Sequence, residues 1–175
     1  MIVAIGGVSR SGKSTLAEHI AAKIPSDSII IAMDKYVVSK QALPRIRDRI
    51  DWESPRSIDW NALYRAIVEA ELGHHVVIVE GFLVYRNPKI YDLFDLCFVI
   101  EVDFPTFYHR RLQDDRWKDL EPGDEPAWYI NHVWESYHRF AVPDQGPPII
   151  VIRQGSESEM GDRVMNEIMK NDDLS

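Results

Sequence analysis

The sequence predicts an α/β fold, a five-stranded parallel sheet flanked by helices and built around a phosphate-binding loop. Three observations predict it. Gly7-Val8-Ser9-Arg10-Ser11-Gly12-Lys13-Ser14 is a complete G-x-x-x-x-G-K-[ST] pattern. The pattern lies between a short apolar run and a helical one, the strand–loop–helix context that such a loop requires. Further along the chain, short apolar runs alternate with helical patterns, which is how a parallel sheet covered on both faces reads in sequence.

The elements follow in order. Met1-Ile2-Val3-Ala4-Ile5 reads as a buried strand, and Thr15 to Ile24 as a helix with Leu16, Ile20 and Ile24 on one face. Ser28 to Ala32 reads as a second buried strand, ending at Met33-Asp34 and lying beside the strand that launches the loop. Residues 35 to 57 are charged and aperiodic, with Pro44 and Pro55; they read as a long loop or a partly helical excursion, and such stretches in compact domains are usually functional. A helix runs from Ser57 or Asp59, each a plausible N-cap, to Leu72, with Leu63, Ala66, Ile67 and Ala70 inward and Gly73 as its C′ stop. His75 to Glu80 is a third strand and Asp95 to Val102 a fourth. Thr106 to about Leu120 is a helix rich in Arg and Asp, broken by the Pro- and Gly-containing segment Glu121 to Pro126. Trp128 to Phe140 is another helix, Pro148 to Ile152 the fifth strand, and Glu157 to Lys170 the closing helix.

At 175 residues the chain reads as a single domain over 1–175, with a lid at about 108–128, and its 45% hydrophobic content suffices for a core. The formal net charge of −8 excludes broad binding to nucleic acid or to anionic membranes. An anionic nucleotide must then be met by local positive charge. Cys97, the single cysteine, lies in the apolar run Leu96-Cys97-Phe98-Val99-Ile100 and reads as a core residue. Lys13 interrupts the N-terminal apolar run too early for a signal peptide, and no run approaches a membrane span; the cytoplasm, rich in Mg²⁺ and ATP, is the expected compartment.

The loop carries the first chemistry. Its glycines let several backbone N–H groups point at one anion, and the following helix adds its positive end. Gly7, Ser9, Ser11, Gly12, Lys13, Ser14 and Thr15 form the donor-binding set. Lys13, expected at the exposed mouth of the loop, reaches the β- and γ-phosphates, and the Ser14 hydroxyl is placed for Mg²⁺. Ligands of parallel sheets bind beyond the carboxyl ends of the strands. Asp34 and Glu80 follow strand ends and should converge with the loop on one crevice. The chain has no guanine-reading N-K-x-D segment, and it is short for a motor ATPase. An acidic strand end, an Asp near the loop and the cluster Arg110, Arg111 and Arg116 together form a kit for phosphoryl transfer to a small alcohol. In that reading Asp34 accepts the proton of an attacking hydroxyl, and the arginines cover the γ-phosphate. Against it, Asp34 can be a cap or a loop salt-bridge partner, and Arg110 and Arg111 can form a solvated face paired with Asp114 and Asp115. Glu80 can hold Mg²⁺ through water, contact substrate, or partner Lys13. His74 and His75 point to opposite faces of a strand and do not chelate together, and His109, His132 and His138 show no ligand spacing. The expected metal is Mg²⁺ brought with ATP.

Further segments carry a family resemblance: Met33-Asp34-Lys35-Tyr36, Asp51-Trp52-Glu53-Ser54-Pro55, Val79-Glu80-Gly81-Phe82-Leu83, Arg110-Arg111 and Asn131-His132-Val133-Trp134. With the loop, and in this order from about residue 2 to 140, they resemble the uridine kinase and nicotinamide riboside kinase group. The resemblance implies the P-loop NTPase fold of nucleoside kinases, with ATP and Mg²⁺. It implies γ-phosphate transfer to the 5′-hydroxyl of a nucleoside, nicotinamide riboside first among them. It places Asp34 as the base, Tyr36 and Glu80 at the substrate, Arg110, Arg111 and Arg116 in the lid, and Glu53 where the family has an Asp that grips the ribose diol. Val37 falls where riboside kinases tend to carry an aromatic. Trp52, Tyr129 and Trp134 read as core or pocket-wall aromatics. Uridine, cytidine or another small alcohol is the rival acceptor, and a nucleotide-sensing module without turnover is the rival class.

Overall fold

The computed structural model describes residues 1–24, 27–47, 49–114, 126–141 and 146–172. Its main sheet has five strands, β1 (Ile2–Gly7), β2 (Ser28–Ala32), β5 (Val76–Gly81), β6 (Leu96–Glu101) and β7 (Ile149–Arg153), in the order β2-β5-β1-β6-β7. Each neighbouring pair is parallel. β1 and β5 are buried along their whole length, which is why they read as unbroken apolar runs. The order corrects one expectation: β2 does not lie beside β1, because β5 is paired between them.

Alternate residues of each strand feed two cores. Ile2, Ala4, Val77 and Val79 face one side, where α2 (Trp60–Gly73) contributes Leu63, Ile67 and Ala70. Val3, Ile5, Ile78 and Phe98 face the other. There α1 (Lys13–Lys23) contributes Leu16, Ala17 and Ile20, α5 (Ala127–Phe140) Ile130 and Val133, and α6 (Glu157–Asp172) Val164 and Ile168. Cys97 is buried as expected, and burial pushes its thiol up to about 12.

Several boundaries differ from the sequence pattern, each for a local reason. α1 begins at Lys13, so the loop's last residues already form the first turn. The 35–57 excursion contains a small antiparallel hairpin, β3 (Arg45–Ile46) with β4 (Arg49–Ile50), and 3₁₀ turns over Met33–Lys35 and Pro55–Ser57. Strands of two residues carry no readable alternation. Asp59, not Ser57, caps α2 by accepting from Ala62 N at 2.9 Å. Ser57 instead donates its hydroxyl to the Asp51 carbonyl. Gly73 is the last residue of α2 and not a left-handed stop; His74 follows as the cap, its N–H bonded to Ala70 O at 3.0 Å. A four-residue helix, α3 (Pro88–Tyr91), was not expected; Asn87 caps it from Lys89 N at 3.0 Å. α4 spans Phe104–Leu112, capped by Asp103 with Pro105 in its first turn, and ends well before Leu120. The break at 121–125, together with Arg116 and most of the expected lid, lies outside the described residues.

Candidate active site

The phosphate loop leaves β1 at Gly7, where φ is 149°, and a Cβ there would fall 2.7 Å from Ser11 Oγ. Gly12, with φ 98°, turns the chain into α1. Between them Arg10 also takes a left-handed conformation, φ 64°, and Ser11 N closes onto Val8 O at 3.1 Å. The α1 N-terminus therefore opens directly onto the loop, a ready anion site. Ser11 Oγ is buried without a hydrogen-bond partner among the described residues, the state of a hydroxyl that awaits an acceptor.

Lys13 departs from expectation. It is only 9% exposed, and its Nζ donates to Val8 O at 3.2 Å under the loop. Burial lowers its pKa, while the charges of Glu80 and Asp34 oppose that shift. Glu80 sits at the end of β5, in register with Ile5 of β1 and Ala32 of β2. That register explains why distant acidic residues come to one end of the sheet: Glu80 stands between the strand of the loop and β2, whose following turn carries Asp34. Glu80 accepts from Ser14 Oγ at 3.0 Å, and burial raises its pKa against the pull of Lys13. The Ser14 hydroxyl and the Glu80 carboxylate are hard oxygen ligands side by side, a donor set that fits Mg²⁺. The structure thus pairs Glu80 with Ser14, while Lys13 acts on it through charge alone and makes its hydrogen bond to Val8 O.

Lys13, Asp34, Trp52, Glu53, Arg111 and Asp114 line one cleft of about 630 Å³, with Ser9 at its edge and Val37 on its wall. Asp34 is exposed on the 3₁₀ turn after β2. It makes no helix-capping bond there, and no hydrogen bond or ion pair among the described residues engages it. Arg111 and Arg110 separate. Arg111 is 1% exposed and reaches Asp114 Oδ2 at 3.1 Å inside the cleft, so it is not part of a solvated face. The same Asp114 oxygen holds Arg10 of the loop at 3.0 Å. Arg110 is not among the residues that line the cleft; it donates to Arg10 O at 3.2 Å and to Gln154 Oε1 at 2.7 Å, beside the loop. Thr15 is exposed in the first turn of α1. Tyr36 is placed elsewhere: it packs on the core beneath β2 and α2 and lines a separate hollow with Lys35, Ala66 and His74.

Glu53 is 7% exposed and accepts from Tyr129 Oη at 2.7 Å. Burial raises its pKa; the Tyr129 hydrogen bond and the charges of Arg111 and His132 oppose this, and Asp51 adds to it. Beside it, His132 Nε2 lies 2.8 Å from Asp51 Oδ1. Asp51, Glu53 and His132 thus bring ligand-type atoms within 4.8 Å of one another, and these hydrogen bonds account for the convergence. Trp52 is 46% exposed at the cleft, whereas Trp134 packs against Phe104 and Phe107. Sequence reasoning missed Arg10 as a site neighbour; it read Asp114 only as a partner of Arg110 and Arg111 on a solvated face, Tyr129 as a core or pocket-wall aromatic, and His132 as part of the family resemblance. For the last two a signal existed: residues three apart on a helix share a face, as do residues two apart in an extended segment.

The chain can now be set beside known proteins. No family model matches it. It superimposes on a gluconokinase from Sinorhizobium meliloti 1021 with a TM-score of 0.60 at 14% identity, over 96% of this chain and 91% of that one. A shikimate kinase from Aquifex aeolicus gives 0.51 at 15% identity, over 98% of each chain. The fold is that of the P-loop kinases. In sequence, this P-loop kinase fold is similar to the nicotinamide riboside kinase of Schizosaccharomyces pombe, 24% identical over 78% of this chain and 77% of the relative. It is similar to nicotinamide riboside kinase 1 of Rattus norvegicus, 21% identical over 78% and 75%. The uridine kinase of Chlamydia pneumoniae is 24% identical over 98% of this chain and 89% of the relative. No helix among the described residues is long and apolar enough to cross a membrane.

Proposed function

We propose that this chain is an ATP-dependent phosphotransferase that phosphorylates the 5′-hydroxyl of a nucleoside, nicotinamide riboside in the first instance. The observation that carries the reading is the shared cleft: the loop lysine Lys13, the unengaged carboxylate of Asp34 and the buried carboxylate of Glu53 all open onto it. A passive nucleotide module has no use for an unengaged carboxylate opposite the phosphate site.

The roles follow from position. The loop N–H groups and Lys13 hold the β- and γ-phosphates of ATP. Mg²⁺, when bound at Ser14 and Glu80, supplies charge neutralisation on the phosphate oxygens. Asp34 orients the acceptor hydroxyl and receives its proton as the oxygen–phosphorus bond forms and the bond to ADP breaks. The transition state is loose, so that proton leaves late. Arg111, with Arg110 beside the loop, stabilises charge on the transferring group; Arg116, outside the described residues, is given the same role on its sequence position alone. Glu53 accepts from a ribose hydroxyl, and the exposed Trp52 ring offers a face to the base.

A second reading, uridine or cytidine as acceptor, is favoured by the uridine kinase match, which spans 98% of this chain. A thermal-shift panel separates the two. Each nucleoside is added with a non-hydrolysable ATP analogue and Mg²⁺, and the true acceptor raises the melting temperature by mass action. A shift with nicotinamide riboside and none with uridine supports the first reading; the reverse supports the second.

A further inference from the structure

Helix α5 is tied to the acceptor segment by a ladder of two rungs. Tyr129 and His132 are three apart on α5 and share a face; Asp51 and Glu53 are two apart in the turn that carries Trp52. Tyr129 Oη donates to Glu53 Oε2 at 2.7 Å, and His132 pairs with Asp51 at 2.8 Å. Glu53 lines the cleft, but Tyr129 and His132 do not. Tyr129, 4% exposed, therefore meets the carboxylate from behind.

We propose that Tyr129 is a positioning residue for the acceptor: its hydroxyl fixes Glu53 Oε2 and turns Oε1 towards an acceptor hydroxyl in the cleft. The His132–Asp51 rung holds the segment in register. The proposal rests on the reading of this cleft as the acceptor site. It also explains how a buried carboxylate stays usable. An ionised carboxylate makes the stronger hydrogen bond to a hydroxyl. Burial works against ionisation of Glu53, and so does Asp51 on the same segment. Tyr129 and His132 from α5 and Arg111 from α4 favour it. Removing the Tyr129 hydroxyl takes away one of these supports, so Glu53 should hold its proton to higher pH.

The test compares wild type with Tyr129→Phe, His132→Gln and Glu53→Gln, measuring kcat and KM against pH for nicotinamide riboside and for ATP. Tyr129→Phe removes one buried hydroxyl and keeps the ring, and the KM for ATP serves as the control for an intact fold. Tyr129→Phe should raise the nucleoside KM about tenfold, the loss expected of one hydrogen bond to a charged group. It should leave kcat and the ATP KM unchanged and move the acid limb of kcat/KM for the nucleoside to higher pH. His132→Gln removes the imidazole of the second rung; the shift between it and the His132→Gln, Tyr129→Phe pair should persist. Glu53→Gln should abolish that limb. A strong effect of Glu53→Gln with no change in KM or acid limb on Tyr129→Phe overturns the positioning role alone. An indifferent Glu53→Gln, or no activity on any nucleoside, overturns the acceptor-site reading beneath it.

Discussion

Replacing Asp34 by Asn separates chemistry from architecture. The side chain is exposed on a 3₁₀ turn and caps nothing, and no hydrogen bond or ion pair among the described residues engages it. A substitution of equal size at such a site should leave stability within about 0.5 kcal/mol. The donor site should also survive, because the phosphates are held by the loop and by Lys13, which hydrogen-bonds to Val8 O and not to Asp34. Only the acceptor hydroxyl loses its proton acceptor. A general base contributes about 10²–10⁴-fold, which at about 1.36 kcal/mol per decade is about 2.7–5.4 kcal/mol of barrier. The predicted rate loss therefore exceeds the predicted stability loss at least about fivefold in energy. The assay is a rapid-quench single turnover, enzyme in excess over labelled ATP, with saturating nicotinamide riboside, and thermal melts run in parallel. A chemical step within about twofold of wild type would remove Asp34 from the mechanism. A large drop in melting temperature would show instead that Asp34 supports the fold.

The remaining predictions concern charges that the structure buries. Lys13→Ala should nearly abolish turnover and raise the Glu80 pKa further, since Lys13 is the charge that lowers it; steady-state turnover near wild type would mean that the loop does not hold the donor. Glu53→Gln should stabilise the protein. Burial lifts the Glu53 carboxyl above its usual 4.5, so the native state binds that proton more tightly than the unfolded chain, and its contribution to stability falls as pH rises through that window. The gain in melting temperature should thus be larger at neutral pH than at about pH 4, and an equal gain at both refutes the assignment. Arg111→Ala strips a buried partner from Asp114, on which Arg10 remains. Its cost in urea unfolding should lie near the lower end of about 3–5 kcal/mol. Arg110→Ala, outside the cleft lining, should cost under about 1 kcal/mol.

What the sequence disclosed followed the strength of each local signal. The phosphate loop, its flanking strand and helix, and the alternation of apolar strands with helices were legible because backbone geometry there is dictated by neighbours in sequence. Convergence of Asp34 and Glu80 with the loop was legible from the rule that strand ends share an edge. Strand order was not, because β5 inserts between β1 and β2 through pairing that no local pattern records. The site's second layer was illegible for the same reason. Tyr129 and His132 meet Glu53 and Asp51 across 76 and 81 residues. Arg111 read equally well as a surface charge until the cleft placed it against Asp114. Tyr36, carried by resemblance to the acceptor side, lines a separate hollow with Lys35, Ala66 and His74.

The central claim is that this P-loop kinase fold transfers phosphate to a nucleoside hydroxyl, and product analysis tests it most directly. Purified protein is incubated with ATP, Mg²⁺ and either nicotinamide riboside or uridine, and products are identified by mass spectrometry. The account predicts ADP and the nucleoside 5′-phosphate in equal amounts, with nicotinamide riboside the better acceptor and no product from the Lys13→Ala protein. ATP left intact, or hydrolysed without any phosphorylated nucleoside, would contradict it.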